Sequence, residues 1–576
     1  MKRTHSCGEL TLKNINTEVI IQGWISKIRR LGAMTFIDLR DIHGITQLVI
    51  GENSSINVSN LKSEYVIEVV GIVLERKSKN LDIKTGEIEI DVKELIIINE
   101  SELTPFEIRD NIEAQEDTRL KYRYLDLRRP EMQEKFVIRH KVYQCIRNYF
   151  SDNSFIEIET PVFGKSTPEG ARDFLIPSRL NKNKFYALPQ SPQLYKQLFM
   201  ISGFDRYFQI VKCFRDEDLR IDRQLEFTQL DMEMSFAEPE DIMNMIENML
   251  KTIMKSIKNI DIEDNFIRLD YNEAIDKYGI DKPDLRFGLE IKTLNKIFSN
   301  TEINLFKDLK NKSIRSICVE KSLSKKEVEY LTEVAKQNSV NILGFAKFDT
   351  NEWTGSVGSK LSEKEKKLLI EEFNIKIEST VLFIVEEYNV ASKAMGAIRN
   401  ACGSLLQLIK SNDFKFLWVV NFPLFEYSDD EDRYVAAHHP FTMPANECLN
   451  NFDKDLANAK AKAYDVVLNG FEIGGGSQRI TDKEVQTRMF KAIGFSEEKI
   501  QENFGWFVNA YKYGAPYHSG CAIGLDRLCM LLTESSSIRE VIAFPKNSSG
   551  VDPMTNAPDL VSNDQLNELN IKTNIN

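Results

Sequence analysis

The sequence predicts a multidomain α+β protein in which a small N-terminal β-barrel precedes a larger α+β unit split by an inserted α+β domain. Three observations carry this. A chain of 576 residues exceeds the size at which one hydrophobic core keeps growing, so units of about 100–200 residues are expected. Residues 1–104 read almost entirely as short strands, and residues 285–415 differ in character from both flanks. The 42% hydrophobic and 28% charged fractions suit an ordinary globular chain. No apolar run approaches the roughly 20 residues that cross a bilayer. The N-terminus MKRTHSCGEL lacks the apolar stretch of a secretory signal. A cytoplasmic protein with no membrane partner is therefore expected.

The eight cysteines form no C-x-x-C pair, which supports neither a zinc site nor a disulfide framework and suits a reducing compartment. A net charge of −12, taken alone, argues against nucleic acid as a partner. A local basic face is what contacts phosphates, however, so net charge does not settle the matter in a long chain.

The elements follow in order. In the first domain, 1–104, EVIIQGWISKI, MTFIDLRD, ITQLVI, EYVIEVVGIVLER and GEIEIDVKELIII are rich in β-branched residues and partly alternate. Five such strands suggest a closed barrel, of which the OB-fold is the commonest of that size; a barrel with no nucleic-acid role also fits. The hinge, 105–130, ends RLKYRYLDLRRP. Its arginines and interleaved tyrosines suit a nucleic-acid backbone as well as a solvated connector.

From 131 the pattern turns helical, with Ile138, Val142, Ile146 and Tyr149 on one stripe. FIEIETP reads as a strand stopped by Pro161. A second helix spans 239–258, its methionines serving as core. The first half of the larger unit is assigned to 131–284, the insertion to 285–415, the second half to 416–553 and a polar tail to 554–576.

No phosphate-binding glycine loop of the P-loop or dinucleotide type occurs, and His438-His439 is the only histidine pair. The richest segment is Phe214–Glu233, FRDEDLRIDRQLEFTQLDME, where Arg215, Arg220 and Arg223 alternate with acidic residues. Two strands around a charged loop fit it. Further polar, glycine-spaced stretches follow: STPEGARDF, ALPQSPQLYKQL, AAHHPFTMP, DVVLNGFEIGGGSQRI and GLDRL. A triple glycine alone reads as a tight turn. Together, fixed arginines beside carboxylates suit a polyphosphate with its metal.

These stretches, in this order, resemble the bacterial-type aspartyl-tRNA synthetases, a class II family, over nearly the whole chain. FIEIETP is similar to the first class II motif, FRDEDLRIDRQLEFTQLD to the second and GLDR to the third; EGARDF, QSPQLYKQ and the insertion narrow the likeness to the bacterial aspartate branch. The resemblance implies an antiparallel-sheet catalytic domain, an anticodon-binding OB-fold and a GAD-type insertion. It implies an AMP-forming ligase with ATP, L-aspartate and tRNA-Asp as partners, Mg²⁺ accompanying ATP, and a homodimer formed through the 155–161 strand and its preceding helix.

Residue by residue, the resemblance puts Arg215 between the α-phosphate and the attacking carboxylate. It puts Asp216, Glu217, Gln224, Gly524, Leu525, Asp526 and Arg527 around ATP, with Phe227 on adenine and Arg527 at the far end of the triphosphate. Asp465 and Glu472 would hold Mg²⁺, a hard cation that takes carboxylate oxygens. Arg479 would clasp the aspartate side chain through two parallel hydrogen bonds, with Lys196 adding charge. Glu169, Gln193, Ser191 and Asp231 would receive the ammonium group, a structural ion pair at Asp231 remaining open. His438 would close over the substrate, and His439 would pack or orient its neighbour. On the barrel, Phe36 would stack on an anticodon base while Arg29 and Gln47 read base edges.

Departures from the family pattern are Asn421 and the run Tyr517-His518-Ser519-Gly520. An enzyme charging both tRNA-Asp and tRNA-Asn is the nearest alternative, against which Leu31 leans. A non-catalytic RNA-binding paralogue and a ligase that makes no aminoacyl-tRNA are the others.

Overall fold

The computed structural model describes residues 3–52, 54–167, 170–307, 309–350 and 352–573. The chain divides into two compact units, one comprising 1–140, 219–222 and 535–561, the other 141–218, 223–534 and 562–576.

The first unit contains the barrel. Strands β1 (Glu18–Leu31), β2 (Met34–Asp41), β3 (Gly44–Ile50), β4 (Val66–Glu75) and β5 (Ile88–Asn99) close in the order β1-β2-β3-β5-β4. Alternation decides the faces. In β1, Val19, Ile21 and Ile25 are fully buried and meet Ile37, Leu39, Ile67, Val69 and Ile90 inside. The intervening residues point outward. The hinge is helical over Glu116–Lys121 and Arg123–Asp126. Arg123 and Arg129 are buried on either side of Asp126, at 2.6 and 2.8 Å. Arg123 also donates to the carbonyls of Arg539 (2.7 Å) and Ile542 (2.9 Å). Its charge is spent on tying this segment down.

The second unit is built on strands β6 (Ile156–Glu157), the hairpin β7 (Leu175–Pro177) and β8 (Phe185–Ala187), β9 (Arg206–Phe214), β10 (Glu226–Ser235) and β11 (Ile267–Asp270). The insertion adds β12 (Lys292–Thr293), β13 (Ser313–Val319), β14 (Gly344–Asp349), β15 (Glu352–Thr354) and β16 (Ser379–Glu386). Then come β17 (Phe416–Val420), the hairpin β18 (Phe425–Ser428) and β19 (Arg433–Ala436), β20 (Ala463–Leu468), β21 (Phe471–Gln478) and β22 (His518–Gly524).

One eight-stranded sheet runs β11-β17-β20-β21-β22-β10-β9-β6. It is antiparallel except where β11 meets β17 and β6 meets β9. The insertion has its own five-stranded sheet, β12-β13-β16-β14-β15, with an apolar cluster on each face. Buried Arg399 pins its entry loop through the carbonyls of Asp284 (2.8 Å), Phe287 (2.9 Å) and Gly288 (2.8 Å).

The expected second helix is α-helical over Pro239–Ile253 and ends in a π-helical turn, Met254–Lys258. Met243, Met249 and Met254 are buried core. Gly474, Gly475 and Gly476 form no turn, contrary to the reading of the triple glycine by itself. They lie inside β21, where neighbouring strands leave no space for side chains. A Cβ on Gly474 would meet the Ala522 carbonyl at 2.3 Å, one on Gly475 would meet Asp465 Oδ1 at 2.1 Å, and one on Gly476 would meet the Gly520 carbonyl at 2.0 Å.

Candidate active site

The face of the large sheet carried by β10, β21 and β22 bears a buried set of charges. Asp231 and Glu233 are two residues apart on β10 and so share a face. From the helix Gln193–Ile201, Lys196 reaches Asp231 Oδ1 at 2.7 Å and Glu233 Oε2 at 3.3 Å. Just past β21, Arg479 pairs with Glu233 through two parallel bonds, Nε to Oε1 at 2.9 Å and Nη2 to Oε2 at 3.1 Å. All four groups are at most 2% exposed. Glu233 has room because Gly520 faces it; a Cβ there would lie 1.8 Å from Oε2.

The electrostatics follow from burial and pairing. Burial raises the Asp231 carboxyl, and Lys196 only partly offsets it. Glu233 is equally buried, yet Arg479 and Lys196 together hold it below the usual range. Breaking such a pair from one side costs about 3–5 kcal/mol, because the remaining charge is buried alone. Among the described residues, Asp231 Oδ2 and Gln193 Nε2 are buried with no hydrogen-bond partner, as suits groups that meet a ligand.

The AAHHPFTMP segment zips onto the same edge. Ile480 donates its amide to the Phe441 carbonyl (2.9 Å), and Met443 donates to Gln478 (2.9 Å). Phe441 is sunk among Phe490, Phe504 and Phe507. This anchorage sets His439 Nε2 2.7 Å from Arg479 Nη1. His438, in the loop beyond β19, makes a different contact, with Nε2 3.6 Å from Asp465 Oδ1. Burial alone would lower the His438 pKa, but the Asp465 carboxylate more than offsets it and the net direction is up. His439 is held well below its usual value by burial and by the Arg479 charge.

Across the sheet, β9 and β10 flank the charged loop 215–225, as expected of two strands around such a segment. Arg215 lies over the Phe227 ring at 5.2 Å. Asp216 bridges to Arg172 backbone to backbone, and Glu217 pairs with Arg223 at 3.2 Å. Gln224 is buried. Gly524 ends β22 and the helix Leu525–Leu532 begins at once. The Leu525 side chain is core. Asp526 Oδ2 takes the Thr228 amide at 2.6 Å and so welds this turn to β10. Of the four GLDR residues, Arg527 alone offers an accessible charged side chain, with Nη1 on the Glu472 carbonyl.

On the barrel, Arg29 and Phe36 are paired across β1 and β2. Arg29 Nη2 donates to Asp38 Oδ1 (2.8 Å) and to Gln47 Oε1 (3.0 Å). Gln47 Nε2 donates to Glu89 Oε2 (2.8 Å). Phe36 is half-buried on this outer face.

The family model of class II tRNA synthetases (D, K and N) matches residues 115–548, and that of the OB-fold nucleic acid binding domain matches 19–98. An aspartate–tRNA ligase of Mycoplasma capricolum subsp. capricolum is 60% identical over 573 residues, covering 100% of both chains. The chain belongs to the aspartate–tRNA ligase family of class II synthetases. A family member of Caldanaerobacter subterraneus subsp. tengcongensis, an aspartate–tRNA(Asp/Asn) ligase, is 48% identical over 585 residues, covering 100% of this chain and 99% of its own. Among solved structures, asparaginyl-tRNA synthetase from Pyrococcus horikoshii complexed with asparaginyl-adenylate superposes with a TM-score of 0.60 at 19% identity. It covers 95% of this chain and 98% of that one, a likeness of fold.

Within this family's sheet, the structure gathers Lys196, Asp231 and Arg479 about Glu233, with Gln193 on the helix that carries Lys196. It sets His438 beside Asp465, Arg215 on Phe227 and Arg527 on the Glu472 carbonyl. Glu169 lies outside the described residues. Sequence reading missed Glu233 and Ser477 in the catalytic unit and Asp38 and Glu89 on the barrel. The period-two spacing from Asp231 to Glu233, and from Ser477 to Arg479, was the available signal.

Among the described residues no group of three or more His, Cys, Asp or Glu side chains is disposed to hold a metal. Asp465 and Glu472 supply two carboxylates. Burial and the neighbouring Asp465 charge raise the Glu472 pKa, a repulsion that a cation would relieve. The pair fits a Mg²⁺ whose other positions are taken by phosphate and water.

Proposed function

We propose that this chain is an aspartate–tRNA ligase that forms aspartyl-adenylate from ATP and L-aspartate and transfers the aspartyl group to the terminal ribose of tRNA-Asp. The observation that carries the reading is the buried Lys196–Asp231–Glu233–Arg479 set, which offers fixed partners to a charged amino-acid side chain. In the first step the substrate's own α-carboxylate attacks the α-phosphorus, the new C–O–P link forms and pyrophosphate leaves. No protein base is needed; Arg215 neutralises the developing charge and positions the reactants. Arg527 binds the distal phosphates, and Phe227 stacks on adenine. Asp465 and Glu472 would hold Mg²⁺, which would supply charge neutralisation on the triphosphate. In the second step a ribose hydroxyl attacks the mixed anhydride and AMP departs.

Amino-acid choice rests on Arg479, though the edge formed by Nε and Nη2 is already closed by Glu233. The ligand must therefore be met by the remaining Nη2 hydrogen together with Lys196. Arg479→Leu is expected to abolish aspartate-dependent ATP–pyrophosphate exchange while ATP still binds; near-normal exchange sinks the assignment. The barrel reads the anticodon through Phe36, Arg29 and Gln47. Phe36→Ala is expected to lose aminoacylation far more than adenylate formation, and equal losses count against that role.

The Asp/Asn relative supports a second reading in which tRNA-Asn is charged too. Leu31, exposed at the tip of β1, stands for strictness. Aminoacylation of separate tRNA-Asp and tRNA-Asn transcripts decides between them. We further propose a cytoplasmic homodimer. Support comes from Ile156, Val162 and Phe163, more than half exposed on and beside edge strand β6, and sedimentation tests it.

A further inference from the structure

Arg479 carries five N–H donors and no acceptor. Glu233 takes two of them. Nη1 gives its two to Ser477 Oγ at 2.6 Å and to His439 Nε2 at 2.7 Å. A guanidinium only donates, so His439 Nε2 is the acceptor of the 2.7 Å contact. His439 Nδ1 lies 3.2 Å from the Phe441 amide nitrogen and 3.3 Å from Thr442 Oγ1. Thr442 Oγ1 and Ser477 Oγ are in turn 3.3 Å apart, so His439, Thr442, Ser477 and Arg479 form a closed ring of polar contacts. Thr442 and Ser477 are buried. The ring holds the guanidinium on the edge opposite Glu233, and among the described residues one Nη2 hydrogen is left uncommitted.

We propose that His439 and Ser477 are positioning residues for amino-acid selection, which hold Arg479 Nη1 so that the guanidinium presents its single uncommitted Nη2 hydrogen, beside the Lys196 ammonium, to the side-chain carboxylate of the amino acid. The inference rests on the functional reading above and goes beyond it, because neither residue touches the ligand. With Glu233 on one edge alone, the guanidinium can still pivot about that pair. With both edges held, it cannot.

The test is ATP–pyrophosphate exchange with full-length protein, reading KM for aspartate and KM for ATP separately in the wild type, His439→Leu, His439→Gln and Ser477→Ala. Leucine keeps the bulk and removes the acceptor; the glutamine Oε1 replaces Nε2. His439→Leu and Ser477→Ala are each expected to raise KM for aspartate by about tenfold or more, as loss of a hydrogen bond to a charged group implies. KM for ATP stays unchanged, and His439→Gln recovers most of the loss. The proposal is overturned if His439→Leu leaves KM for aspartate at the wild-type value, if His439→Gln is as impaired as leucine, or if both KM values rise together. Absence of aspartate-dependent exchange in the wild type overturns the functional reading instead.

Discussion

The pocket around Arg479 and the loop around Arg223 both pair arginine with carboxylate, and they differ in nearly everything else. Arg479 and Glu233 are 2% and 0% exposed and are held by strands on either side. Arg223 and Glu217 are 43% and 33% exposed, on a loop between β9 and β10. Burial makes the first pair rigid and its loss severe, since neither charge has water to fall back on. Exposure makes the second pair adaptable and nearly free of consequence for folding. Under the proposed function, the region assigned to amino-acid selection is fixed by its own ion pairs, and the loop assigned to the triphosphate is left accessible.

The largest way to break this contrast is Glu233→Ala. It leaves Arg479 and Lys196 buried with Asp231 as their one carboxylate, and a loss of about 3–5 kcal/mol is expected, read by denaturant unfolding. A loss no greater than that of a surface pair would erase the distinction. Next in size is a pH effect at His439, which faces Arg479, Lys196 and His438. Its folded-state pKa is depressed, so the stability it contributes is full above the ordinary value of about 6.5 and is lost as pH falls below it. His439→Gln cannot titrate. Melting curves of the two proteins are expected to run parallel above about pH 6.5 and to diverge below it, the wild type falling faster. Parallel curves throughout would refute a neutral, buried His439. Smallest is Arg223→Ala, expected to change stability by less than about 1 kcal/mol and to register, if anywhere, in KM for ATP.

Much of this was legible beforehand. The barrel strands announced themselves because β-branched residues alternate with polar ones, and the charged loop because such a segment cannot sit inside a sheet. The Glu233 clamp was not legible. Leu230, Met232 and Met234 give the 226–235 strand an apolar face, and nothing in the alternation says that Glu233 on the other face is buried too. Both faces are buried, which only the order β21-β22-β10 reveals. Nor could the hinge be resolved from its basic run, because Arg123 and Arg129 spend their charge on one aspartate and on carbonyls contributed by 535–561, more than 400 residues along the chain. The glycines of β21 misled for a related reason. Three in a row suggest a bend when read locally, whereas here they answer to strands arriving from residues 463–468 and 518–524.

Gly520 has a meaning for descent as well as for packing. Any side chain at 520 collides with the Glu233 carboxylate, and any shortening at 233 strips the partner from Arg479. The two positions form a lock with no single-step exit: each intermediate between this pair and another compatible pair is a protein in which Arg479 has lost its buried partner. A lineage carrying this geometry is confined to it by its neighbours in sequence space as firmly as by its neighbours in the fold.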